Sequence, residues 1–195
     1  MRLLPSRAAV APLRHALDAP AVLPSVADLV AVERPEEPMH CLRPAAIAAA
    51  ARGFVRGFPG ATLYAVKANP EPAVLRALWR GGVRHFDCAS IAEVALVRGL
   101  FPAAAIHFMH PVKARGAIRE AWARHGVRDF ALDHADELAK IVAETGAGAA
   151  EGLGLVVRLA LPRGNAAYDL SGKFGAAPEA AAALLRAARP HAARL

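Results

Sequence analysis

Apolar residues settle into a regular rhythm only after residue 40. Residues 1–38 hold six prolines and little periodicity, which predicts an irregular lead-in with one short helix. Pro44 suits the first position of a helix running to about Phe58, with Ile47, Phe54, Val55 and Phe58 mostly on one face. Residues 61–67, Ala-Thr-Leu-Tyr-Ala-Val-Lys, read as a strand. A helix follows over about 71–80 and stops at Gly81-Gly82. Strands are then expected at 83–87, 105–109, 127–132 and 153–161, the last being the longest. Between them lie helices opened by Ser90 with Glu93 as a capping box, spanning 113–125, and capped by Asp133. Gly126 and Gly146 close the second and third of these, and a final Ala-rich helix runs from Pro178 to Pro190.

The expected strand ends are Lys67, Asp87, Met109, Asp133 and Leu159, spaced 20, 22, 24 and 26 residues apart. Strands and helices alternating at that spacing predict βα units around a parallel sheet. No Gly-x-Gly-x-x-Gly follows the first strand, which argues against a dinucleotide fold. The expected fold class is α/β, a partial (β/α)8 barrel of the TIM type with about five parallel strands, since a barrel needs eight and the chain reaches Arg194-Leu195 where a sixth should begin. The expected organisation is a lead-in over 1–38 and a barrel domain over 39–195, truncated before strand six.

Composition narrows the class. Hydrophobic residues make up 55% of the chain, too many for disorder, and no apolar run approaches a membrane span. The net charge of +7 comes from 20 Arg and four Lys scattered singly, without the basic clusters and interleaved aromatics of a nucleic-acid binder. Cys41 and Cys88 have neither metal-ligand nor disulfide spacing, which fits a reducing cytoplasm. The first 17 residues carry Arg and no acid, a faint transit-peptide pattern that the prolines between residues 5 and 24 oppose. His107, His110 and His134 lie near expected strand ends, but their spacing is not the helical His-x-x-x-His, so no metal site is expected.

Candidate chemistry begins at Lys67. Strand alternation puts it on one face with the small Ala65, and the carboxyl ends of barrel strands form the catalytic rim. An amine against apolar walls sheds its proton more readily and attacks carbonyls, whereas a strand-end lysine in solvent has no such role. Asp87 would end the neighbouring strand, within reach of the lysine, or serve as an ordinary capping acid. Arg158 is the lone charge in an apolar strand and needs a partner there. Glu93 completes the Ser90 capping box and borders the same rim.

These residues fall in a recognisable order. Tyr64-Ala-Val-Lys67-Ala-Asn-Pro70, Phe86-Asp-Cys-Ala-Ser90 with Glu93, His110-Pro111-x-Lys113, Phe130-Ala-Leu-Asp133 with Glu137-Leu138, and Val157-Arg158-Leu159 with Ser171-Gly-Lys173-Phe-Gly175 resemble, in sequence, the motifs of the ornithine, diaminopimelate and arginine decarboxylases, the fold-type III pyridoxal-phosphate enzymes. By that resemblance Lys67 would bind pyridoxal 5'-phosphate covalently, and Ala65, Asp87 and Arg158 would line the cofactor site. Glu93 and Lys173 would lie at the active-site edge or the interface of a homodimer.

The resemblance implies decarboxylation of a basic amino acid, with ornithine the first choice and polyamine synthesis the setting. The family's stacking histidine, glycine-rich phosphate loop, pyridine-protonating acid and carboxy-terminal β domain have no counterpart in these 195 residues. The chain is therefore expected to bind cofactor weakly and be inactive alone, or to need a second polypeptide. Two alternatives stand beside this: a fold-type III racemase or cofactor-carrier barrel, and a non-enzymatic fragment that keeps the fold.

Overall fold

The computed structural model describes residues 25–146, 151–161, 164 and 172–195. Within them lies one sheet of five parallel strands, β1 (Leu63–Ala65), β2 (His85–Cys88), β3 (Ala105–Phe108), β4 (Asp129–Leu132) and β5 (Gly154–Val157), in the order β1-β2-β3-β4-β5. Strict sequential order is the winding of a (β/α) barrel, whereas a doubly wound sheet reverses its order at a switch point. The expected partial barrel is therefore the observed fold. Beyond β5, Ala193 donates to the Leu153 carbonyl and Leu155 donates to that of Arg194, so a sixth parallel strand begins where the spacing placed it.

Helices α1 (Val26–Glu33), α2 (Pro44–Gly57), α3 (Pro72–Arg80), α4 (Ile91–Leu100), α5 (Arg115–Ala123), α6 (Ala135–Thr145) and α7 (Pro178–Ala188) complete the described elements. Local chemistry starts and stops them. Proline occupies the first turn of α2, α3 and α7, where its missing N–H has no partner to lose. Ser25 caps α1, the short helix expected in the lead-in, and Ser90 caps α4. None of the helices is long and apolar enough to cross a membrane.

The core lies between the helices and one face of the sheet. Phe86, Phe108, Phe130 and Leu155 come from successive strands and are buried against Leu75, Val94, Val97, Ile118 and Ile141 of the helices. Each such side chain stabilises the fold by about 1.5–3 kcal/mol through apolar burial. One ion pair crosses this layer. The Lys113 ammonium sits 2.9 Å from Glu137 with its side chain wholly buried, and it also donates to the His110 and Ala131 carbonyls. Burial pushes the Lys113 amine down, while Glu137 acts in the opposite direction. Two motif residues of the third and fourth units are thus a structural clamp.

Three local expectations are corrected. Phe54 and Phe58 are 70% and 57% exposed, and α2 buries Ala48 and Ala51 instead, because only small residues fit against α3. Asp133 does not cap α6. The cap is His134, which accepts from the Asp136 N–H, while Asp133 accepts from the Gly175 N–H at 2.9 Å. The fifth strand is four residues long and not the longest; past Val157 the Arg158 N–H still donates to the Leu132 carbonyl, and Leu159 then bridges to Ala176.

Candidate active site

Parallel register carries one row of residues across the sheet. Ala65 pairs with Asp87, Asp87 with His107, His107 with Asp129, and Asp129 with Gly154. Their parity is opposite to that of Phe86, Phe108 and Phe130, so the row lies on the face turned away from the helices. That face is the interior of a barrel, and its carboxyl-terminal edge is the catalytic rim.

Lys67 is not part of the strand. Pairing stops at Ala65, and Val66–Ala68 forms a 3-10 turn in which Val66 is fully buried and Lys67 is exposed. The turn anchors on Val66 and leaves the amine in solvent. The apolar walls expected around Lys67 have no counterpart among the described residues. Tyr64 and Asn69 brace the turn, the tyrosine hydroxyl donating to the Asn69 carbonyl at 3.3 Å.

Asp87 is the electrostatic hub. Burial pushes its half-buried carboxyl up, the Lys67 charge pulls it down, Glu93 pushes it up, and His107 and Arg158 pull it down. The predicted Lys67, Asp87, Glu93 and Arg158 therefore share one electrostatic neighbourhood, with Ala65 beside Asp87 in register. Glu93 has a clear structural duty: its N–H donates to Ser90 Oγ at 3.2 Å, and its own carboxylate accepts from the Ala89 N–H at 2.8 Å. The capping box is therefore closed one residue earlier than expected.

Arg158 follows β5 and is exposed, so it is not the buried charge the apolar run implied. Its guanidinium lies 5.3 Å over the Phe174 ring, and the Lys173 amine lies 5.3 Å over the same ring. Phe174 also meets His110 edge-on at 5.2 Å between ring centres. Gly175 makes this docking possible. Its φ is 105°, and a Cβ there would lie 2.5 Å from the Ala160 nitrogen. Segments of the third, fourth and fifth units, His110, Asp133, Arg158 and Lys173–Gly175, thus join at one end of the sheet; Ser171 lies outside the described residues.

His85, Asp129 and Arg194, which sequence reasoning passed over, and His107, which it weighed only as a metal ligand, lie deeper on the same face. His85 Nδ1 is 3.0 Å from His107 Nε2, His107 Nδ1 is 3.0 Å from Asp129, and Arg194 is 2.9 Å from the other Asp129 oxygen. The signal was parity: His85, Asp87, His107 and Asp129 alternate with Phe86, Cys88, Phe108 and Phe130. Among the described residues no group of three or more His, Cys, Asp or Glu side chains could hold a metal ion.

The site fits an anionic aldehyde cofactor. The rim offers an exposed primary amine, an exposed guanidinium and the Asp87 carboxylate, with the small Ala65 paired beside that acid. Comparison with known proteins agrees. Residues 45–195 match the family described as "Pyridoxal-dependent decarboxylase, pyridoxal binding domain". The lysine/ornithine decarboxylase of Selenomonas ruminantium is 39% identical over 128 residues, 65% of this chain and 30% of that protein. The ornithine decarboxylase of Panagrellus redivivus is 34% identical over 174 residues, 89% of this chain and 38% of that one. Among solved structures, the lysine/ornithine decarboxylase of Vibrio vulnificus complexed with putrescine superposes with a TM-score of 0.67 at 31% identity, covering 84% of this chain and 41% of the other. The chain thus spans well under half the length of these relatives.

Proposed function

Because the chain belongs to the pyridoxal-dependent decarboxylases through their pyridoxal binding domain, we propose that it supplies the lysine half of an active site that decarboxylates a basic amino acid, with ornithine the first choice and putrescine the product. The cofactor is pyridoxal 5'-phosphate. The observation that carries the reading is the placement of Asp87 beside Ala65 in register, with Lys67 two residues beyond β1 and Arg158 directly after β5 on the same strand-end rim. The reading extends to a domain running from residue 39 to 195, a homodimeric full-length assembly with Glu93 and Lys173 toward its edge, and a reducing cytoplasmic setting. Free Cys41 and Cys88 favour that setting, burial holding the Cys88 thiol up at about 12.

Each residue has a task that follows from its chemistry. Lys67 presents an exposed primary amine, and its role as the aldehyde-binding lysine rests on the family match rather than on the apolar walls a strand position implied. Asp87 attracts the Lys67 ammonium and holds it at the rim. Arg158 offers a fixed positive charge to an anionic oxygen, kept in place by Phe174. Ala65 leaves room. The chemistry supplied by the bound cofactor is that of an electron sink for loss of carbon dioxide.

Borohydride reduction of the chain with pyridoxal phosphate, followed by peptide mapping, tests the assignment. The expected outcome is a label on Lys67, absent in Lys67→Ala and weakened in Asp87→Asn. A label spread over Lys140 and Lys173 with Lys67 unmodified refutes it. The chain alone is expected to label slowly and to release no carbon dioxide from ornithine.

A further inference from the structure

The interior face carries a hydrogen-bonded chain that the decarboxylase reading leaves unused. It runs from His85 on β2 through His107 on β3 and Asp129 on β4 to Arg194 at the start of the sixth strand. The two imidazole centres are 5.3 Å apart and the rings only 21° from parallel, so they meet edge to edge through their hydrogen bond. Gly154 opens the path, since a Cβ there would collide with the Asp129 carboxylate and come within 3.2 Å of the Arg194 guanidinium.

Donor and acceptor roles follow from the geometry. The Asp129 carboxylate only accepts, so His107 Nδ1 carries a hydrogen. In the neutral ring His107 Nε2 is then an acceptor, and His85 must donate to it from Nδ1. Both rings are therefore held as Nδ1–H tautomers. A proton arriving at His85 Nε2 lets the shared hydrogen pass to His107 Nε2. The charge then rests on His107, and His85 is left neutral with its hydrogen on Nε2. One hydrogen occupies the bond before and after. A second added proton would set two donors face to face and break it.

We propose that His85, His107 and Asp129 form a one-proton relay beneath the lysine site, in which the proton held on His107 competes with the Lys67 ammonium for the Asp87 carboxylate. The three are positioning residues, and the proposal rests on the assignment of Lys67 as the cofactor lysine. Register puts Asp87 directly beside His107, and the groups facing the relay are accounted for: Asp87 from β2, Asp129 from β4 and Arg194 beyond β5, with Lys67, Glu93 and Arg158 around Asp87. Burial, then the neighbouring imidazole, depress the basicity of His85 while the Asp129 carboxylate opposes them, and His107 lies between that ring and the carboxylate. Asp129 is held down at about 2, by the hydrogen bond from His107 first and that from Arg194 next, so it stays ionised throughout. With the relay neutral, Asp87 is left to Lys67. With it charged, the lysine shares its acid.

Nuclear magnetic resonance of the isotopically labelled full chain tests this without cofactor. At alkaline pH the ring nitrogens of His85 and His107 should both report Nδ1–H, and on acidification the two rings together should take up one proton before any second. In His107→Asn the Asp87 carboxyl midpoint should rise by about half a pH unit, because a nearby cation is lost. His125→Asn, remote from the site, should leave it unchanged. Nε2–H tautomers, two independently titrating rings, or an unmoved Asp87 midpoint in His107→Asn would overturn the relay. The tautomers are read in the unaltered protein, so a poorly folded variant does not remove the test. Borohydride trapping on the same samples separates the two readings. A labelled Lys67 with independent rings refutes the relay alone, and shared-proton rings without a labelled Lys67 refute the cofactor assignment alone.

Discussion

Phe86 and Asp87 are neighbours in the chain and belong to different environments. Phe86 is fully buried among side chains of the helices. Asp87, one residue on, faces a half-open surface of charged and imidazole groups. The same contrast repeats at Phe108 beside His107 and at Phe130 beside Asp129. The helix-facing side is held by shape, where any lost volume leaves a cavity. The interior side is held by specific donor–acceptor pairs, where volume matters less and protonation matters more. The buried Lys113–Glu137 pair is the one place where ionic chemistry enters the packed side among the described residues. Lys113 and Lys67 divide the roles accordingly: the first is locked by a carboxylate and two carbonyls, the second stands free at the rim.

Substitutions on the two sides should differ in size and in kind. Phe108→Ala removes a ring from the packed side and should destabilise the chain by about 3–5 kcal/mol, read as a lower urea midpoint. Lys113→Met leaves the buried Glu137 with Lys140 and the backbone N–H of residue 113 as partners and should cost up to about 3 kcal/mol. The double change with Glu137→Leu should recover most of that loss, and if it does not, packing around the pair rather than its charge is what matters. On the interior side the effect depends on pH. The Asp129 carboxyl lies below its ordinary value of 3.8, at about 2, so its stabilisation is fully present above pH 4 and is lost as pH falls toward 2. Allowing for solvent screening of a half-buried group, that is on the order of 1 kcal/mol. Asp87 is shifted the opposite way and favours the fold at lower pH, so the difference between wild type and Asp129→Asn reads Asp129 together with the histidines coupled to it. The smallest effect belongs to Val156→Thr, on the exposed interior face, which should change stability by no more than about 0.5 kcal/mol in the same titration.

Much of the fold was legible because its signals are local. Proline at helix starts, glycine at helix ends and apolar parity along strands placed every described strand within two residues of its start, and the even spacing of strand ends implied the barrel winding. The motifs singled out Lys67, Asp87, Glu93 and Arg158, and the structure sets Ala65 beside Asp87 in register with Lys67 and Arg158 just beyond their strands. What failed were statements about surroundings. Phe54 and Phe58 look like core residues by spacing, yet the neighbouring helix leaves room only for alanine at that contact. Asp133 looks like a cap, yet a loop 42 residues later takes its carboxylate. Arg158 looks buried from the apolar run around it, yet β5 ends one residue before it.

The sequence by itself therefore determined the order of strands and helices and the parity of each strand, since these follow from backbone preference and side-chain alternation over a few residues. Tertiary structure alone decided that His85, His107, Asp129 and Arg194 join into one hydrogen-bonded line and that Lys67 leaves the strand to stand in solvent. Register between strands distant in the chain sets which donor meets which acceptor, and a shift of one residue would send each of them to the other face.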